Sequence, residues 1–218
     1  MKIKACIFDL DGVIVDTAKF HFLAWKRLAD ELNISFDEHD NEQLKGVSRT
    51  TSLEIILRKG SIQYSEEEKQ EMAVKKNIWY LEYCSTIDES EILPGIKEFL
   101  DELKLKNILI GLGSASKNAL LILDKLKLTS YFDAIVDGNK ITEAKPNPQV
   151  FLRAAEELNV NPNEAIVFED AEAGVEAAIR GGFYAIGIGD AKILGKANIV
   201  LRSTALINFN LIDAAEGK

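Results

Sequence analysis

Two carboxylates, Asp9 and Asp11, stand two residues apart at the end of an apolar run, Lys4 to Leu10, and Gly12 follows at once. Strand side chains alternate with period two, so this pair leans to one side of a strand's C-terminal end, and Gly12 lets the chain turn sharply there. A second acid pair, Glu169-Asp170, closes another apolar run, Ile166 to Phe168. If the strand ends converge, up to four carboxylates meet. Like charges that close cannot all stay ionised, so either their pKa values rise or a cation sits among them. An oxygen-only set with room for water and a phosphate oxygen suits Mg²⁺. A carboxylate beside such an ion can attack a phosphoryl group and form an aspartyl-phosphate. Charge spread over the transferring group then needs fixed donors. Lys145, the Ser114 hydroxyl and the backbone N–H groups of Ser114 and Ala115 at a helix start are the candidates. Each piece alone has an ordinary reading: an acidic turn, a solvated lysine, an acid pair in a helix first turn.

The elements that must position these groups alternate in a recognisable way. After the first strand, residues 16–92 carry helical patterns and no strong strand. Phe20, Phe22, Leu23, Trp25, Leu28, Ala29 and Leu32 recur near helical spacing with a stop at Asn33. Leu53, Ile56 and Leu57 mark a second helix halted near Gly60. Ser65 caps a third, with Glu66, Glu67 and Glu68 in its first turn, running to Tyr83. From Pro94-Gly95 strands and helices alternate. Helices are predicted over Ile96 to Leu105, Lys117 to Leu126, Pro148 to Leu158 and Ala173 to Arg180. Strands are predicted over Ile108 to Leu112, Ala134 to Val136, Ala165 to Phe168, Tyr184 to Ile188 and Ile199 to Leu201. The expected class is α/β: a doubly wound parallel sheet, discontinuous over 1–15 and 93–218, with an inserted α-helical cap at 16–92.

With 218 residues the chain can bury one good core plus a modest insertion. Its 26 Lys and Arg against 35 Asp and Glu give a net charge of −9, which argues against a nucleic-acid partner. A small anionic substrate then requires a local cation cluster or a metal. No apolar run reaches the roughly 20 residues of a membrane span, and Asp9 cuts short the only N-terminal apolar patch. Cys6 and Cys84 lie far apart without metal-ligand spacing, so free thiols and a cytoplasmic setting are expected. Nothing demands a partner chain, and a monomer is expected.

The string Asp9-Leu10-Asp11-Gly12-Val13, with Asp16-Thr17 following, resembles the first motif of the haloacid dehalogenase-like (HAD) phosphotransferases. The other motifs follow in order: Leu109 to Ser114, a strand ending in a hydroxyl; Lys145 within Glu143-Ala144-Lys145-Pro146; and Ile166 to Gly174, a strand ending in paired acids. The resemblance implies Asp9 as nucleophile and Asp11 as general acid/base. It implies Asp9, the Asp11 backbone carbonyl and Asp170 as Mg²⁺ ligands, with Glu169 in the metal shell directly or through water. Lys145 and Ser114 would bind the transferring phosphoryl group. The Lys145-Pro146 bond can be cis, the minority state for X-Pro. Gly113 stands where the family would have alanine, and the sequence offers no account of it. A rival phosphate cradle, Gly111 to Ser116, lacks the third glycine of a dinucleotide loop and sits in the wrong strand–helix unit.

The insert resembles the β-phosphoglucomutase group of that superfamily, through Thr17, His21-Phe22, Ala24-Trp25, Asn41 to Arg49, Ser52 and Lys76-Asn77, with Ser116-Lys117-Asn118 in the core. This implies substrate contacts from Thr17, His21, Trp25, Leu44, Lys45, Gly46, Val47, Arg49, Ser52 and Lys76, joined by Ala115, Ser116, Lys117 and Asn118. A mutase must hold both ends of a sugar bisphosphate. Arg49, with a planar fork suited to phosphate oxygens, is expected at the distal phosphate with Lys117 and Asn118. The expected reaction interconverts β-D-glucose 1-phosphate and glucose 6-phosphate through the 1,6-bisphosphate. The rivals are a sugar-phosphate phosphatase on the same scaffold and a catalytically silent phosphate-binding protein.

Overall fold

The computed structural model describes residues 2–44, 46–61 and 63–217. Six strands, β1 (Ala5–Phe8), β2 (Leu109–Gly113), β3 (Ala134–Val136), β4 (Ala165–Glu169), β5 (Tyr184–Ile188) and β6 (Ile199–Leu201), form one all-parallel sheet in the order β3-β2-β1-β4-β5-β6. Among the described residues, four α-helices lie within 16–92: α1 (Ala18–Glu31), α2 (Glu38–Glu42), α3 (Arg49–Lys59) and α4 (Glu66–Tyr83). The remaining helices are α5 (Ile96–Leu105), α6 (Ala119–Lys125), α7 (Gln149–Glu157), α8 (Glu172–Arg180) and α9 (Asn210–Glu216). Among the described residues no helix is long and apolar enough to cross a membrane.

The expected doubly wound sheet is what forms, and its order reverses between β1 and β4. Open α/β sheets bind ligands in the crevice at such a switch point. The register pairs Phe8 with Phe168, so Asp9 and Glu169, each one residue further on, emerge side by side. Both sheet faces are covered. Cys6 and Phe8 pack into one apolar cluster, Ala5 and Ile7 into the other, as period two requires. The Phe8 and Phe168 rings stack at 4.8 Å with Phe99 of α5 against both edge-on, clamping β1 to β4 beneath the acids.

The inserted helices pack on their own apolar faces: Ala24, Trp25, Leu28 and Ala29 of α1 are buried, as are Ala73, Trp79 and Tyr80 of α4. Ser65 and Glu68 form the capping box their spacing predicts, and Asn33 ends α1 in the left-handed region at φ 56°. The two chain crossings are tied together, since Leu93 N–H donates to Ile14 O and Val15 bridges to Ile92.

Three expectations are corrected. β1 ends at Phe8 rather than Leu10, because the Ile14 and Val15 N–H groups both turn back to Leu10 O. The helix expected from Lys117 begins at Ala119, leaving Lys117 and Asn118 ahead of it. Helices α2 and α9 were not anticipated. The first is five residues held by an Asp37–Asp40 capping box rather than an apolar stripe, and both are too short for periodicity to register. Cys6 and Cys84 are free, buried thiols, as expected.

Candidate active site

Asp9 follows β1 and is buried, its N–H donating to Phe168 O at 2.9 Å. Gly12 holds φ 77°, and a Cβ there would lie 2.2 Å from Asp170 Oδ2. Glycine is therefore needed twice: for the left-handed turn and for the approach of the second acid pair. Gly174, in a helix with ordinary φ, makes room in the same way for Glu169, whose Cδ lies 2.0 Å from where a Cβ would stand. Oxygens of Asp9, Glu169 and Asp170 all come within 4.8 Å of one another.

Lys145 is buried among these acids, donating to Asp9 Oδ1 at 2.5 Å and Glu169 Oε2 at 2.9 Å. Burial by itself pushes its ammonium down, but Asp9 and Glu169 outweigh this and hold it above its ordinary value. Burial raises the Glu169 carboxyl, and Asp9 and Asp170 add to that against the pull of Lys145. Three carboxylates around one lysine leave an excess of negative charge in a buried, oxygen-only set. That donor chemistry fits a hard divalent cation.

Asp11 lies beside this cluster with Oδ1 buried and unpartnered and Oδ2 3.9 Å from His21 Nε2. Burial, then Asp9, pushes its carboxyl up to about 8 against the opposing charges of Lys76 and Lys145. His21 Nδ1 is 2.8 Å from Lys76 Nζ, and its ring stacks on Tyr80 at 4.0 Å. Burial, Lys76 and Arg49 push the imidazole well below its usual range, so it is neutral. When Lys76 is charged it can only donate to Nδ1, which places the ring proton on Nε2, facing Asp11. Lys76 is buried on the faces of Trp25 and Tyr80, and burial with Arg49 lowers it to about 7.

A cavity of about 260 Å³ lies between the strand ends and α1–α4. It opens on Asp9, Asp11 and Asp170, on His21, Trp25 and Lys76, and on Leu44, Gly46, Val47, Arg49 and Ser52. Ser114, Ala115, Ser116, Lys117 and Asn118 close its sheet side. Asn118 Nδ2 donates to Asn77 Oδ1 at 2.8 Å, joining the start of α6 to α4. The Lys145-Pro146 peptide is cis.

A family model described as haloacid dehalogenase-like hydrolase matches residues 3–182. The chain belongs to the haloacid dehalogenase-like hydrolase family. This HAD-like chain is 45% identical to the beta-phosphoglucomutase of Bacillus subtilis, over 96% of the chain and 93% of that protein. A crystal structure of beta-phosphoglucomutase from Clostridium difficile superposes with a TM-score of 0.96 at 45% identity, covering 99% of this chain and 97% of that one. The phosphorylated carbohydrates phosphatase of Thermotoga maritima is 34% identical over 94% of each chain.

Within this HAD-like site, most residues singled out in the sequence share one cavity. Three do not line it. Lys145 and Glu169 lie behind Asp9 in ion-pair contact, and Thr17 is buried, its Oγ1 accepting from Tyr80 O–H at 3.4 Å. Lys45 is outside the described residues. One expected donor is corrected: Ser114 N–H is spent on Val136 O, because β2–β3 pairing runs on past Gly113. The Ser114 hydroxyl accepts from Ser116 N–H at 3.1 Å. The cavity also takes in residues to which the sequence assigned no contact: Ala18, Asn41, Ser48 and Thr50 on the insert side, and Gly138 and residues 141–144 on the core side. Their signal was adjacency to Thr17 and to the Arg49 and Lys145 motifs.

Proposed function

We propose that this chain interconverts β-D-glucose 1-phosphate and glucose 6-phosphate through β-glucose 1,6-bisphosphate, with Asp9 as phosphoryl carrier. The observation that carries the reading is that a single cavity takes in Asp9 together with Arg49, Lys117 and Asn118. A hydrolase for monophosphates needs one phosphate site; a bisphosphate turned end for end needs two. The Bacillus and Clostridium relatives support the same reading.

Asp9, Glu169 and Asp170, with the Asp11 carbonyl, would hold Mg²⁺. When bound, the ion neutralises charge on the phosphoryl oxygens and orients the Asp9 carboxylate. Asp9 attacks phosphorus, forming an aspartyl-phosphate as the substrate's ester oxygen departs. Asp11, protonated near neutrality, gives that oxygen its proton and takes one from the accepting hydroxyl in the return step. Lys145 and the Ser114 hydroxyl hold the transferring group. Arg49, Lys117 and Asn118 hold the other phosphate. His21, neutral with its proton toward Asp11, and Lys76 orient the sugar and the acid. The inserted helices keep water from phospho-Asp9.

The Thermotoga relative motivates a second reading, a sugar-phosphate phosphatase in which water discharges phospho-Asp9. Enzyme incubated with β-glucose 1-phosphate, Mg²⁺ and a trace of bisphosphate separates the two. Glucose 6-phosphate without free phosphate supports the mutase, and stoichiometric phosphate release overturns it. A panel of β-sugar 1-phosphates tests the choice of glucose.

A further inference from the structure

Lys145 makes contact with more than acids. Its Nζ lies 4.7 Å from the centroid of the Phe151 ring, in the first turn of α7, and both side chains are buried. An ammonium has three protons. The bonds to Asp9 and Glu169 use two on one side, and the ring offers its negative face to the cation. A buried lysine on a flexible four-carbon stem has several rotamers that keep one ion pair and lose the other. A rigid aromatic face against the ammonium removes those alternatives.

The seat of that ring explains Gly113. A Cβ at this last residue of β2 would stand 2.6 Å from Phe151 Cδ1 and 2.9 Å from Cε1, inside the 3.0 Å that real Cβ atoms respect. The ring therefore occupies the space an alanine methyl would take. It cannot yield freely, because Phe183 packs edge-on behind it at 6.3 Å, and Gly181 in turn makes room for Phe183. Gly113 φ is unexceptional, so conformational freedom is not what places glycine there.

We propose that Phe151 is a positioning residue for phosphoryl transfer, holding Lys145 against Asp9 and Glu169, and that Gly113 is glycine to admit its ring. This rests on the reading of Lys145 as the lysine that holds the transferring phosphoryl group.

Phe151→Leu keeps apolar volume but removes the ring face, while Gly113→Ala adds only a methyl and displaces the ring. Both should lower kcat about 3- to 30-fold, with KM for β-glucose 1-phosphate within roughly twofold of wild type. In proton NMR the Lys145 ε-methylene signals, identified by their loss in Lys145→Ala, should be shifted upfield by the ring. They should return toward ordinary lysine values in Phe151→Leu and move partway in Gly113→Ala. The double variant should lose no more kcat than Phe151→Leu alone, since a methyl at 113 has no ring left to displace. A merely structural role would move melting temperature without the ring-current change or the isolated kcat effect. If Phe151→Leu does not fold, Gly113→Ala carries the same test. Wild-type kcat in a folded single variant, or additive losses in the double, overturns the inference while Lys145→Ala remains inactive. Full turnover in Lys145→Ala instead overturns the reading of Lys145 beneath it.

Discussion

The Lys76 ammonium rests 2.8 Å from His21 Nδ1, with Lys76 buried on the faces of Trp25 and Tyr80 and the His21 ring stacked on Tyr80. Two basic groups at that distance cannot both be charged, and burial decides that the histidine gives way first. The arrangement sets a pH dependence with a definite sign. Lys76 titrates at about 7 when folded and at 10.5 when unfolded, so between those values the unfolded chain binds the extra proton. Stability attributable to this group therefore rises with pH across that window, by up to about 1.4 kcal/mol per pH unit. Lys76→Met should unfold at higher urea than wild type near pH 7, and the difference should shrink toward pH 10. Equal pH slopes in the two proteins would refute the assignment.

Asp9→Asn keeps shape but removes the nucleophile. Turnover should fall on the order of 10⁴-fold or more, and mass spectrometry should find no phosphoryl adduct on the variant under turnover. Wild-type protein should show the adduct, or be trapped by beryllium or aluminium fluoride at the same carboxylate.

Arg49 is placed on the cavity wall at the first residue of α3, partly desolvated and so held below its usual pKa. Arg49→Ala should raise KM for the bisphosphate about 10- to 100-fold, the worth of a charge-assisted pair. A monophosphate phosphatase activity would suffer far less, so comparing the two activities in one preparation reads out the distal site.

Asn77→Ala removes the acceptor for Asn118 Nδ2 and with it a direct tie between α4 and the sheet side of the cavity. Loss of one neutral hydrogen bond costs about 1 kcal/mol. The expected result is a several-fold rise in free phosphate released per glucose 6-phosphate formed, measured by coupled assay, because water gains access to phospho-Asp9. An unchanged ratio would mean this contact does not guard the carrier.

Gly12→Ala meets both a left-handed backbone at φ 77° and the Asp170 carboxylate 2.2 Å from the new methyl. Destabilisation of about 1–3 kcal/mol is expected in urea unfolding. Mg²⁺ affinity by calorimetry should fall at least about tenfold as Asp170 is pushed aside.

Much of this protein was legible in the chain itself, because the signals are local. Apolar runs ended by acids mark β1 and β4, helical spacing marks α1, α4 and α5, and Ser65 with Glu68 announces a cap before any fold is known. The order of those elements specifies a doubly wound sheet, and such sheets place their strand ends, and hence Asp9 and Glu169, at the switch point. Tertiary packing alone decided the rest. Lys145 alone reads as a solvated lysine and is buried between Asp9 and Glu169; nothing near Lys76 in the sequence tells that it is buried on the faces of Trp25 and Tyr80. Ser114 N–H looks free at a strand end, yet the neighbouring strand claims it. Gly113 has no explanation in its own segment and acquires one only from a phenyl ring 38 positions later in the chain. Periodicity reports which face a residue presents. Burial, ionisation and the shape of a cavity depend on what arrives from elsewhere in the chain to cover that face, and no local pattern encodes it.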